Sequence, residues 1–529
     1  MVKFFQSKDY LGILLIVCLV SLVITLTPVV YGIFPITFDQ GRDFLWVKNQ
    51  VDFHRPYLVG PWGSLAGVFF GPLWFWLLAI PYFLSQGNPL IMTLFNALIV
   101  FGSVFIAAKM LIKVSPPLAY FFVLICFLSP GILGISVYAF SQHLLPLLTW
   151  LLIYSYVQIL RKSSRAHFIL SLLWISLMFH AEPPVSVFSL PSLIIITLMA
   201  QKRKKFISLS TIALGLIAFV VPFIPQILFE LRHDFIEVKS VLSFFSGKNR
   251  SLEGIIPIPI WKRIIDRPLE FFQVFRLSLL QKPIPVALGI MAVILYFGIK
   301  VKKDQYLSYL WQTSFIYTIS LLLIFILFPF DLKSFYLDGL IIIFILWGAM
   351  FLTHYWLKKK FQALIGLFLL IAFWANLSPL NFISSFNQAF FDRYGGGSLY
   401  VNQKRTIDWI YQHAQGKGFK VYTFVGPTYD FNYQYLFFWY GLKQYGYLPA
   451  EFSYLPNKPE YIDKKSLQLE NLKDKIRPAD NEVYLIMERE AANDQRESWR
   501  QKFPPQEYIL SGRIELPGRI SVEKRFIRQ

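Results

Sequence analysis

Leu11 to Asp43 reads LGILLIVCLVSLVITLTPVVYGIFPITFDQGRD, and its two halves decide the fold. Leu11 to Tyr31 is apolar throughout and long enough to cross a bilayer, which takes roughly 20 residues. No small-residue cleavage site follows it, so it is expected to stay as a first spanning helix. Directly behind it, Phe38 to Asp43 places two carboxylates and an Arg at the membrane mouth. Acids at that depth point to chemistry on a lipid-borne substrate.

The remaining chain has the same character: 529 residues, 55% hydrophobic and 18% aromatic, with a mean hydropathy of +0.50. Apolar runs recur at about 89–110, 117–135, 143–160, 166–180, 184–200, 206–229, 284–299, 306–329, 336–356 and 361–377, with an additional run at 65–83. If 65–83 crossed, the basic clusters at Lys109 and Lys113 and at Arg161, Lys162 and Arg165 would fall outside, against the enrichment of short cytoplasmic loops in Lys and Arg. If it lies at the interface, these clusters join Lys202–Lys205, Lys300, Lys302, Lys303 and Lys358–Lys360 on one side. Gly71, Pro72 and Pro81, among many aromatics, favour the interface. The expectation is a polytopic α-helical membrane protein of about eleven spans plus interfacial helices, with a cytoplasmic amino end in the cell membrane.

That topology places three segments outside. The first is residues 32–88, too long for a mere connection. The second is the basic stretch 230–283, with Arg232, His233, Lys239, Lys248, Arg250, Lys262, Arg263, Arg267 and Lys282. The third follows residue 379, where the composition turns polar and Gly395–Gly397 marks a linker. Its KVYTFVG and EVYLIM runs read as buried strands, and QKRTIDWIYQHA and NDQRESWRQKF as helices. Residues 380–529 are therefore expected to form a small external α/β domain, and 1–379 the membrane domain.

The net charge of +20 sits mostly between spans, so it gives no case for nucleic acid. Cys18 and Cys126 lie in apolar runs, where thiols behave as small hydrophobes. Gly395–Gly397 follows no strand and lacks the Lys-Ser/Thr ending of a nucleotide loop.

An acidic motif after the first helix, a re-entrant GPLWFWLL stretch, many further spans and a carboxy-terminal external domain resemble the GT-C glycosyltransferase superfamily. The nearest group is that of dolichyl-phosphate-mannose protein mannosyltransferases and the lipid A aminoarabinose transferase. In that group the first loop carries Asp-Glu or a lone Asp, then an amphipathic helix and a (Lys or His)-Pro-Pro-Leu-Tyr-Tyr type segment. Here FDQGRDFLWVKNQ fills the first role and FFGPLWFWLL the second. Gln40 stands where Glu is common, and Phe70 and Gly71 replace the basic residue before Pro-Pro-Leu. A second acid must therefore be Asp43 or none, and lipid-phosphate binding must draw on other cations.

The resemblance implies transfer of a sugar from a polyprenyl-phosphate donor to a glycan, lipid or protein acceptor at the external face, with inversion at the sugar carbon. The acceptor must lose a proton as it attacks, and a carboxylate within hydrogen-bond reach can take it. Asp39 is the candidate base, although Asp is also a preferred cap for a helix starting near Gly41. Asp43 is the second catalytic candidate, or else it makes a salt bridge or lies on a solvated helix face. Arg42 either assists Asp39 or neutralises it.

For the phosphate, Arg232 and His233 lie just beyond a span, and the planar Arg fork suits phosphate oxygens. Lys333 in the DLKSFY turn is a further candidate. His143, beside Gln142, and His180 with Glu182 occupy external span ends, where ionisable groups are candidate donor or acceptor contacts. A His-x-Glu pair is too few ligands for a closed metal site. No cofactor is required by the sequence, and a divalent metal stays open. The rival reading is a transporter or flippase for a lipid-linked glycan, but such proteins place sites at the midplane on broken helices in repeated halves.

Overall fold

The computed structural model describes residues 8–63, 65–246, 257–281, 283–300, 305–377, 396–426, 429–458, 460–488 and 493–528. Lys248, Arg250, Lys282, Lys302, Lys303 and Gly395 lie outside them.

Eight helices among the described residues are long and apolar enough to cross a bilayer, and two bent pairs raise the number to ten. All eleven expected runs are helical. Residues 117–135 form the pair Pro116–Leu128 and Pro130–Ser136, bent by 62°. The bend falls where Ser129 adopts an extended conformation before Pro130, as residues preceding proline tend to do. Residues 166–180 fall in Arg165–Ala181, a helix just short of spanning length. The run at 65–83 contributes the 13-residue helix Leu73–Ser85, about 20 Å long at 1.5 Å per residue, whereas a hydrocarbon core is about 30 Å.

The chain packs as two compact units, each discontinuous in sequence: Met1–Thr25, Tyr57–Trp74 and Asn96–Leu380 form the first, and Leu26–Pro56, Phe75–Phe95 and Asn381–Gln529 the second. In the first unit, helices Leu145–Lys162 and Asp338–Trp356 are buried on nearly every face. Leu209, Leu216, Ile217, Leu370 and Trp374 point outward instead. Such apolar faces are poorly tolerated in water and natural in lipid.

The described part of 230–283 is not merely a loop. It contains Ile236–Phe245 and Ile260–Leu279, and in the latter Phe271, Val274, Phe275 and Ser278 are buried at helical spacing. Arg267, expected among the cations of a basic loop, is buried there, donating to Glu270 and to the Phe330 carbonyl.

In the second unit, strands β1 (Gly418–Phe424), β2 (Glu451–Ser453), β3 (Ala479–Met487), β4 (Tyr508–Leu516) and β5 (Ile520–Ile527) form one mixed sheet in the order β2-β1-β3-β5-β4. β1 runs parallel to β2 and β3, while β5 is antiparallel to β3 and β4. KVYTFVG and EVYLIM supply β1 and most of β3, side by side. Tyr422, Phe424, Leu485 and Met487 pack with Trp499 and Phe503 on one face. Helix Tyr400–Ala414 covers the other, through Trp409 against Tyr484 and Tyr411 against Phe419.

Candidate functional site

Phe38–Asp52 is the helix that presents the acidic motif, and it starts three residues before Gly41. Thr37 is its cap: Gln40 Oε1 accepts from the Thr37 backbone N–H at 2.9 Å and from its hydroxyl at 2.6 Å, as in a capping box. Asp39 is thus a first-turn residue and not the cap, and its charge there complements the helix dipole. Within the second unit this helix is firmly held. The Ile36 N–H donates to Ser398 O at 2.8 Å, and Gln403 Nε2 donates to Ile36 O at 3.1 Å. A Cβ on Gly41 would lie 2.2 Å from the Asn432 backbone nitrogen, so only glycine allows this approach.

The three charges of the motif are unequal. Asp43 is 1% exposed and Arg42 5% exposed, whereas the Asp39 side chain is 36% exposed. Arg42 Nη1 reaches Asp39 Oδ1 at 3.0 Å, while Nε and Nη2 reach Asp43 Oδ1 at 2.9 and 2.8 Å. Of the two alternatives to a catalytic Asp43, the salt bridge is present and the solvated face is not, because the helix is buried on that side. Arg42 thus ties the open carboxylate to the buried one. A pair this deeply buried is weak evidence of stability.

The first unit holds a second polar cluster. Ser141–Leu144 is a tight turn leading into Leu145–Lys162. Gln142 Nε2 donates to the buried Glu182 Oε2 at 2.7 Å, and Ser141 Oγ donates to Gln142 Oε1 at 2.9 Å. Beside it, Asn96 Nδ2 donates to the Ile135 and Ser136 carbonyls, so Asn96 Oδ1 is left to accept from His143 Nδ1 at 3.2 Å. His143 Nε2 then faces Asp338 Oδ2 at 3.8 Å. Gln142 ties Glu182 to the turn that carries His143, whereas His180, expected beside Glu182, is not part of this bonding, and Asn96 and Asp338 join unanticipated. Their signal in sequence was slight: one Asn inside an apolar run, and one Asp at the entrance to another.

His180 takes a different direction. Its buried ring lies against Gly71, whose Cβ would fall 2.0 Å from Nδ1, and neither nitrogen has a hydrogen-bond partner of ordinary geometry. Arg232 and His233 end the helix Ile224–Arg232 and are exposed. His233 stacks on Phe229 and bonds its carbonyl at 2.8 Å. Lys333 is exposed, 3.7 Å from Asp331. Among the described residues, no group of three or more His, Cys, Asp or Glu is placed to hold a metal.

No protein-family model matches the chain, and no curated protein matches it. Among solved structures it is similar to ArnT from Cupriavidus metallidurans in the apo state, with a TM-score of 0.53 and 10% identity over 98% of this chain and 98% of that one. It is also similar to ArnT from the same organism bound to undecaprenyl phosphate, with a TM-score of 0.55 and 11% identity over 97% and 98%. At such identity the likeness speaks for the fold. The chain has the same fold as ArnT along its whole described length.

Proposed function

We propose that this chain is a multi-pass membrane glycosyltransferase that moves a sugar from a polyprenyl-phosphate carrier to an acceptor at the external face of the cell membrane. The observation that carries the reading is Asp39: a half-open carboxylate just past the first span, held by Arg42 against a buried Asp43, in a chain with the ArnT fold. One structure of that fold holds undecaprenyl phosphate, which supports a carrier of the same chemistry here.

In this reading the acceptor hydroxyl gives its proton to Asp39 as its oxygen forms a bond to the anomeric carbon. The bond from that carbon to the phosphate oxygen breaks, and its electrons leave with the phosphate. Arg232, His233 and Lys333 are the cations proposed to meet that charge. Asp43 and Arg42 position the base, and His143, His180 and Glu182 contact donor or acceptor. The amino end is cytoplasmic and the sheet-bearing domain external. The acceptor is a glycan, lipid or protein.

Asp39→Asn tests the assignment, because it keeps the size and much of the hydrogen bonding but removes the proton acceptor. Transfer by the reconstituted chain from a polyprenyl-phosphate sugar is expected to fall by about 10²- to 10⁴-fold, with donor binding kept. Near-normal transfer would remove Asp39 from the mechanism.

A further inference from the structure

The far end of the same helix borders a cavity of about 400 Å³, walled entirely by the second unit. This is within the usual range for small-molecule sites, about 300–1,000 Å³. Phe53, Tyr82, Phe438 and Trp439 give it aromatic surfaces, and Lys48, Asp52, Lys443 and Asn471 stand among them. The Trp439 indole donates to the Gln86 carbonyl at 2.7 Å, which fixes the plane of the ring. Phe438 and Trp439 both come from Phe437–Gly441, a single π-helical turn. Such turns are rare and concentrate at functional sites.

One wall atom lacks a partner. Asn49 Nδ2 donates to the Asp463 carbonyl at 2.6 Å, so Asn49 Oδ1 must accept, and it does so from Gln468 Nε2. That chain fixes the Gln468 amide and leaves its Oε1 buried with no hydrogen bond. Gln468 is 3% exposed and lines the cavity. A buried acceptor without a donor costs about 1–3 kcal/mol, and a small turn of this side chain toward the cavity would let an O–H from a ligand satisfy it.

Flat aromatic surfaces suit the C–H faces of a sugar ring, and a buried acceptor with flanking amides, carboxylate and ammonium suits its hydroxyls. A lipid tail would leave Gln468 and the Lys48–Asp52 ion pair, 2.5 Å apart, desolvated without gain. We infer that this cavity is a saccharide-binding subsite of the second unit. Asp39 and Asp52 lie thirteen positions apart on one helix, about 20 Å at 1.5 Å per residue. The bound sugar is therefore remote from transfer, as a distal part of an extended acceptor glycan would be. Binding does not depend on the transfer reading, whereas the acceptor role rests on it.

Full-length chain in detergent, titrated calorimetrically with mannohexaose, chitohexaose and hexagalacturonate, provides the test. At least one is expected to bind, and Trp439→Ala and Gln468→Met to weaken it tenfold or more. Trp439→Phe, which keeps a ring in the wall, should retain part of the affinity and so separates loss of platform from loss of fold. Asp39→Asn should bind like the unaltered chain. Failure of all three sugars to bind, or unchanged affinity in Trp439→Ala and Gln468→Met, overturns the subsite and leaves the transfer reading intact. Normal transfer by Asp39→Asn does the reverse.

Discussion

A glutamine where an acid is usual looked, in sequence, like a missing catalytic group. In place, Gln40 is the residue that closes the capping box on Thr37, so the substitution serves the start of the helix. Gly41 beside it carries an opposite tension. Ala in a helix interior is ordinarily favoured over Gly by about 1 kcal/mol. Here its methyl would meet main-chain atoms of Phe431 and Asn432 at 2.2–2.5 Å, and backbone cannot rotate away. Overpacking costs about 1–3 kcal/mol, and immovable neighbours put this site at the upper end. Gly41→Ala is therefore expected to lower the melting temperature of the purified chain, and a rise would show that the close approach is not made. Asp39, His143 and Glu182 could be singled out from type and position. Asn96 and Asp338 could not, because their meaning depends on Ile135, Ser136 and His143, distant in sequence.

Between Arg232 and Ile236 the chain turns from a spanning helix into a short one, and two glutamates manage the corner. Glu230 accepts from the N–H groups of Glu237 and Val238 at 2.9 and 3.1 Å, satisfying donors that a helix start leaves open. Burial, with the Glu230 charge second, pushes Glu237 from its ordinary 4.5 up to about 7. A carboxyl raised in the folded state stabilises fully below its unfolded value, and that contribution is lost as pH rises through 7. Amides of Ile236–Phe245 should thus be better protected from hydrogen exchange at pH 5 than at pH 8, after correction for intrinsic rates. Glu237→Gln should abolish the difference, and equal protection in the unaltered chain would refute it. Among strands, β1 and most of β3 were legible as apolar runs between turns. β5 was not, because it buries Glu523 and Arg525. Their charges are matched by Arg500 at 2.7 Å and by each other at 2.5 Å, and no hydrophobic pattern announces such pairing.

For the whole molecule, hydropathy gave the eleven apolar helical runs and their order but not the helices Ile236–Phe245 and Ile260–Leu279, while charge gave an orientation that a labelling experiment can examine. Tags at Ser163 and Gln201 are expected to react only from the cytoplasm, and tags after Gly396 only from outside. External reactivity at Gln201 would overturn the scheme, including the interfacial reading of 65–83. What hydropathy could not supply is the grouping of Leu26–Pro56 and Phe75–Phe95 with the last stretch of the chain, since joining distant segments leaves no local mark. That grouping bears on biosynthesis. Roughly 300 residues, Asn96–Leu380, separate the early pieces of the second unit from its late ones, and at about 5–20 residues per second the ribosome needs some 15–60 s to cross them. Throughout that interval the helix bearing Asp39 exists without Asn432, Gln403 or the strands that complete its unit. A nascent chain cut short before residue 380 would insert its spans and still leave this polar helix uncovered, a ready target for the proteases that survey unfinished membrane proteins.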